Sequence, residues 1–282
     1  TYPYYVFADS YEYYRNRRIN YLLDSLEDIT PRDMMMVQND NYNLSAAESL
    51  PHFLSVLPPA DSLSAKGQEA RKLLASWDYM NHANSEAASY YETWWRNIYR
   101  MVWDEMAAAP VEVETPDKFT TIKLLKTHPE LPLMDIRETP EKETAKDVIR
   151  RAFKEAVDSM EETKQKKGSA EWASYKATSA LHLAQIPAFS VRDIRNGGNR
   201  NVVNATSERH GPSWRFVAEL TPEGPHVWGV YPGGQSGNPG SYFYDNMIGK
   251  WTAGEYYKML FMTDWQVQQT DAVDFVQNFY AE

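Results

Sequence analysis

Cysteine is absent from this sequence. Disulfides, thiol catalysis and Cys-ligated zinc are therefore excluded, while cytosol and periplasm stay equally open. Long apolar runs are missing too. No stretch approaches the ~20 residues that a membrane span needs, so none is expected. Positive charge is scarce: 29 Lys and Arg face 39 Asp and Glu, a net charge of −10. Nucleic acid is bound by Lys and Arg clusters, and the one dense cluster is Arg15-Asn16-Arg17-Arg18, so no nucleic-acid partner is expected. The six histidines, His52, His82, His128, His182, His210 and His226, form no HxxxH or HxxE spacing. No metal site is expected from this chain alone. The start, Thr1-Tyr2-Pro3, has neither Met nor a signal peptide and reads as a processed or excised beginning.

What is present is a globular composition. The 282 residues are 43% hydrophobic and 13% aromatic, with 19 Tyr and 9 Trp, unlike a disordered chain. Tyr2–Phe7 reads as extended. A helix is predicted over about Ser10–Ser25, with Tyr11, Arg15, Ile19, Leu22, Leu23 and Leu26 on one face. Arg15 then lies on the apolar stripe and needs a carboxylate or carbonyl partner, whereas Arg17 points away. Thr30-Pro31, Thr115-Pro116 and Thr139-Pro140 each read as an N-cap followed by an N1 proline. Ala46–Leu57 and Leu63–Trp77 read as helices. Ser85 caps another that runs to about Met106, whose Ala87, Tyr91, Trp94, Trp95, Ile98, Val102 and Met106 form a wide inward face. Glu141–Lys166 is the cleanest helix, with Ala145, Val148, Ile149, Ala152, Phe153, Ala156, Val157 and Met160 inward and Gly168 as its stop. Val111–Asp117 and Glu161–Lys167 are charge-rich and read as exposed loops. Trp172–Leu183 reads as helical, broken by Ile186-Pro187-Ala188-Phe189, and Gly197-Gly198-Asn199 as a turn.

From Asn201 to Ser241 the pattern changes to strand and tight turn. Val202-Val203, Trp214–Leu220 and Val227–Tyr231 are β-favouring runs bounded by Gly, Pro and Asn, as in an antiparallel meander. The loop that follows, GVYPGGQSGNPGS, has a defined shape because Gly supplies positive φ and Pro fixes φ. The fold class is α+β. A helical region over 1–185 is followed by a β-rich region over 186–262 and a C-terminal segment over 263–282.

The chemistry that the residues suggest is limited. No G-x-S-x-G occurs, and Ser236 in Gly234-Gln235-Ser236-Gly237 reads as a turn hydroxyl rather than a nucleophile. The glycine-rich loop has neither a Walker Lys-Ser/Thr pair nor G-x-G-x-x-G. Thr1 is open to two readings. It is an N-terminal nucleophile activated by its own amine, or an arbitrary chain start.

Two motifs, HGPSWR at 210–215 and VYPGGQSGNPGS at 230–241, resemble the C-terminal signature of the penicillin acylase (penicillin amidase) family. Met36-Val37-Gln38-Asn39-Asp40, Trp77-Asp78, Ser85, Trp94-Trp95-Arg96, Ile186–Phe189 and Asn204-Ala205 match further motifs in order, so the resemblance covers nearly the whole chain. It implies the C-terminal part of the family's β-subunit, within an αββα N-terminal-nucleophile hydrolase sandwich. The implied activity is hydrolysis of an acylated amine. The family's Ser nucleophile, oxyanion Asn and calcium-binding carboxylates correspond to segments upstream of Thr1. No cofactor is therefore expected in this chain, and calcium is expected only through upstream residues. A charged helical stretch at about Val111–Gly168 departs from the family's pattern. Arg15 matches the Arg that supports the catalytic centre; the alternative is a helix-anchoring ion pair. Tyr5 and Phe7, just ahead of it, are candidates to line an acyl pocket. The resemblance also implies upstream segments of the same precursor as partners, an acyl amide as small-molecule substrate, and a periplasmic or secreted location. The rival from another class is a non-catalytic scaffold or binding fragment.

Overall fold

The computed structural model of the protein describes residues 14–262, 266–267 and 269–271. Its helices are α1 (Tyr14–Asp24), α2 (Pro31–Gln38), α3 (Leu44–Val56), α4 (Ala65–Ala75), α5 (Glu86–Val102), α6 (Asp104–Ala107), α7 (Lys118–Thr127), α8 (Ala145–Lys167), α9 (Trp172–Lys176) and α10 (Ile248–Ala253). Its strands are β1 (Thr178–Ala180), β2 (Val191–Ile194), β3 (Arg215–Thr221), β4 (Gly224–Val230) and β5 (Tyr257–Met259). The chain divides into two units, residues 1–28 with 36–213, and residues 29–35 with 214–282.

The core of the first unit is α5 against α8. Every inward position expected on α8, from Ala145 to Met160, is buried, as are Ala87, Tyr91, Trp94, Trp95, Ile98 and Val102 of α5. Trp94 sits at the centre. Its ring lies 5.5 Å from Phe53 of α3 and 4.8 Å from Phe153 of α8, and its indole N–H donates to Ile149 O at 2.9 Å. The large ring is thus buried with its one polar atom satisfied. The charged stretch over 111–168 thus supplies α8, one of the two helices at the centre of this core.

Helix starts follow side-chain chemistry more closely than the Thr-Pro pattern suggests. At α2 the device works: Thr30 and Asp33 bond reciprocally, Thr30 N to Asp33 Oδ2 at 2.9 Å and Asp33 N to Thr30 Oγ1 at 3.3 Å. At the other two sites the helix begins later, capped by Asp117 and by Thr144 with Asp147. The reason lies three residues on from the cap. Thr30 has Asp33 there, while Thr115 and Thr139 have Lys118 and Lys142. A cation in the first turn opposes the helix dipole and cannot close a capping box. Gly168 ends α8 at φ 71°, a left-handed stop that glycine adopts without strain.

Three expectations are corrected. Glu161–Lys167 is the last part of α8 and not a loop; Lys164 pairs with Glu86 at 3.1 Å and Glu161 with Lys66 at 3.1 Å. The helix from Trp172 stops at Lys176. Thr178–Ala180 instead pairs antiparallel with Val191–Ile194, Thr178 opposite Ile194, so tertiary pairing overrides the helix propensity of Ala180, Leu181 and Leu183. Val202-Val203 is no strand: Val202 N bonds back to Asn199 O in a turn, and its side chain is buried for packing alone.

In the second unit β3, β4 and β5 form one antiparallel sheet in that order. β3 and β4 are a seven-pair hairpin from Arg215↔Val230 to Thr221↔Gly224. The third strand of the sheet is Tyr257–Met259, not an earlier run. The GGQSGNPGS loop is held by its own polar groups. Ser236 Oγ accepts from Asn238 N at 3.1 Å, and Asn238 Oδ1 accepts from Gly240 N at 3.0 Å. Ser236 is thus engaged in the turn.

Candidate functional site

α1 presents three arginines in four residues, and their surroundings differ. Tyr14 is the buried residue of the helix and meets Phe119 edge-on at 6.1 Å. Arg18, one turn on, is half-buried. It bonds both carboxylate oxygens of Asp40, at 2.7 and 3.2 Å, and its guanidinium lies 4.4 Å from the Tyr42 ring centre. Arg17 makes a bidentate pair with Glu48, at 2.7 and 2.9 Å. Arg15 is exposed and has no ion pair among the described residues. Its placement on a buried stripe is therefore corrected. The inward positions start at Tyr14 and Arg18, one residue before and three after it, because Tyr14 and not Arg15 fills the space beside Phe119. Tyr5 and Phe7 lie outside the described residues, as does Thr1.

Asp40 leads into a polar seam that the sequence did not announce. Its backbone O accepts from Asn204 N at 3.0 Å, and Asn204 Nδ2 donates to Asn41 Oδ1 at 2.9 Å. Asn41 O accepts from Asn81 N, and Asn81 O from Gly198 N, each at 2.9 Å. The turn before α3, the loop before α5 and the segment after β2 are thus tied together. Two motifs of the resemblance, at Asp40 and Asn204, meet here. The carboxamides of Asn81 and Asn196 are buried and make no side-chain hydrogen bond among the described residues, a state that most buried polar groups avoid.

Beyond the seam lies Lys176, the last residue of α9 and buried. Its ammonium donates to Gly197 O at 2.5 Å, Thr206 Oγ1 at 2.6 Å and Gly198 O at 3.3 Å. Trp172, one turn earlier, donates from its indole to Gly198 O at 2.6 Å. α9 therefore clamps the Gly197-Gly198 turn from one face. Gly198 has φ 87°, and a Cβ there would run into Asn204 O and Thr206 Oγ1, so glycine is required. Burial pulls the Lys176 ammonium down to about 7.

Arg18, Asp40 and Lys176 were missed in the sequence. The signal for Arg18 was available, since it sits one helical turn from Tyr14. No such signal exists for Lys176, whose acceptors are two backbone carbonyls and the hydroxyl of Thr206, 30 positions on. In the second unit Arg215 of HGPSWR is also buried; it donates to Trp251 O at 2.7 Å and lies over the Trp251 ring. Among the described residues no group of three or more His, Asp and Glu is placed to hold a metal ion, and no helix is long and apolar enough to cross a membrane. Chemically, α1 offers one guanidinium with no ion pair among the described residues, beside two that are neutralised.

Comparison with known proteins places this geometry. A solved structure of a thermostable penicillin G acylase from Alcaligenes faecalis, in its orthorhombic form, superposes with a TM-score of 0.57 at 15% identity, over 97% of this chain and 53% of that one. The likeness is one of fold, mixed helices and antiparallel strands similar to that N-terminal-nucleophile hydrolase. This chain spans about half of that acylase's length. No curated protein matches it. The sequence pattern of the family described as Penicillin amidase matches residues 1–268, and the chain belongs to that family.

Proposed function

We propose that this chain is the C-terminal part of the β-subunit of an amidohydrolase that cleaves N-acylated amines, such as a β-lactam side chain or an acyl-homoserine lactone. An N-terminal Ser on an upstream segment of the same precursor, freed by autoproteolytic processing, is the nucleophile. Its hydroxyl oxygen attacks the acyl carbonyl while its own α-amine takes the proton. Backbone N–H groups and an Asn upstream hold the oxyanion. The amine leaves with the proton, and water then releases the acid from the acyl-enzyme. Arg15 is the contribution of this chain, a permanent cation that organises the amine and the Asn. Tyr5 and Phe7 line the acyl pocket. The assembly is a heterodimer in the periplasm or outside the cell. A calcium ion in it would draw its carboxylates from upstream.

The observation that carries this reading is the contrast on α1. Arg17 and Arg18 are paired with Glu48 and Asp40. Arg15 is exposed and makes no ion pair among the described residues. The test is Arg15→Ala in the complete enzyme. The expected result is a fall in kcat of at least about 100-fold, the scale of losing one electrostatic organiser, with the urea midpoint nearly unchanged. Lost folding with unchanged kcat in the folded fraction contradicts the role and favours the helix-anchoring reading. No turnover of any acyl amide by the complete protein favours the scaffold reading.

A further inference from the structure

We propose that the cleft beside α9 binds a small organic anion carrying two or more carboxylate or phosphate groups. The cleft holds about 470 Å³, and its basic residues are Arg96, Lys167, Lys176 and Arg200, against Glu92 and Glu208. The two acids are already engaged. Glu92 lies 3.8 Å from Lys118 Nζ and accepts from Asn199 Nδ2 at 3.4 Å, and Glu208 lies 3.8 Å from Arg209. Two of the cations are not. Arg96 and Arg200 are exposed and have no ion pair among the described residues, in a chain with ten more acidic than basic side chains. In such a chain, two unpaired guanidiniums converging on one cleft need an explanation.

The geometry supplies a form for the ligand. The Arg96 guanidinium lies 5.2 Å from the Tyr175 ring centre, and Tyr175 stacks on Trp172 at 5.7 Å and 27°. That contact orients the planar group while leaving its N–H edges free. A guanidinium edge matches two oxygens of a carboxylate or a phosphate. Lys167 Nζ spends one proton on Ser174 O at 3.0 Å and has two more. Lys176 is tied below by its three oxygen acceptors and adds charge rather than a free donor. The occupant is therefore an anion with separated oxyanion groups, since the free donors come from three different segments, α5, the end of α8 and the loop after Gly198. This site does not depend on amide hydrolysis.

Titration calorimetry of the whole protein with citrate and with a sugar bisphosphate, at fixed ionic strength, tests it. Saturable one-to-one binding is expected for at least one anion, tighter citrate indicating carboxylate chemistry and tighter bisphosphate indicating phosphate chemistry. Arg96→Gln and Arg200→Gln should each weaken it about tenfold, as for loss of a charged hydrogen-bond partner. Added salt should weaken it further, because both groups face solvent. Arg200 is exposed and Arg200→Gln removes no hydrogen bond or ion pair among the described residues, so the fold should be kept and the result is decisive. No saturable binding of either anion, or unchanged affinity in Arg200→Gln, overturns the proposal.

Discussion

Lys176 carries its charge where charge is least welcome. In an unfolded chain a lysine keeps its proton to about pH 10.4; burial lowers this to about 7 in the fold. Between those values the unfolded state binds more protons than the folded one, so stability rises with pH across that window. Below about 7 the cost of burying the ammonium is present in full, offset by its three oxygen acceptors. Urea unfolding of the unchanged protein and of Lys176→Met should show the difference moving in favour of the lysine as pH rises from about 7 toward 10. A flat difference would mean that the acceptors keep the ammonium as stable as water does. The arginines of α1 make a related point about what residue types reveal. Arg15-Asn16-Arg17-Arg18 is visible as a cluster, but which arginine turns inward depends on Tyr14 meeting Phe119, more than 100 positions away. No periodicity within α1 contains that contact: Ile19, Leu22, Leu23 and Leu26 are half-buried as the stripe expects, and Arg15 is the one described member of it that is exposed. Lys176 was illegible for another reason: a lysine bound by two backbone carbonyls and a threonine hydroxyl has no acidic partner to search for.

At the scale of elements, the fold rests on α5 against α8, and both were readable. Each has a long 3.6-residue repeat of large apolar side chains, and each has an end signal, Ser85 bonding Ala88 N and Gly168 in the left-handed region. Phe153 lies 3% exposed against the Trp94 ring. Phe153→Ala should therefore cost about 3–5 kcal/mol, the range for emptying a packed aromatic site, read from denaturant unfolding. A loss under about 1 kcal/mol would mean that the site collapses around the hole or is not core. Shorter elements were less legible. Trp172–Leu183 has helical composition, yet β1 pairs with β2 because both segments sit in one hairpin. Val202 looks like a strand residue and is buried in a turn. In both cases a contact outside the window decides, and the local pattern is too short to resist it. The β3–β4 hairpin was readable because alternation and a Gly-Pro-rich border agree over seven pairs.

At the scale of the molecule, the chain is a penicillin amidase family member that covers about half of a known acylase of the same fold. The seam from Asp40 through Asn41 and Asn81 to Gly198 and Asn204 accounts for two of the motifs that carry the resemblance, since they hold one structure together. HGPSWR leads into the hairpin, whose first residue is Arg215, and GGQSGNPGS forms the self-bonded loop. The fold was therefore legible largely through motifs that build structure, and the candidate site much less so, because Arg15 makes no ion pair among the described residues. The central claim is that the nucleophile is a Ser on a companion segment. The most direct test is to treat the complete protein with an aryl sulfonyl fluoride, which labels an activated hydroxyl, and locate the adduct by denaturing mass spectrometry and peptide mapping. The account predicts one adduct, on an N-terminal Ser outside residues 1–282, with amidase activity lost in step. An adduct on Thr1 or on any other hydroxyl of this chain, in step with lost activity, contradicts it.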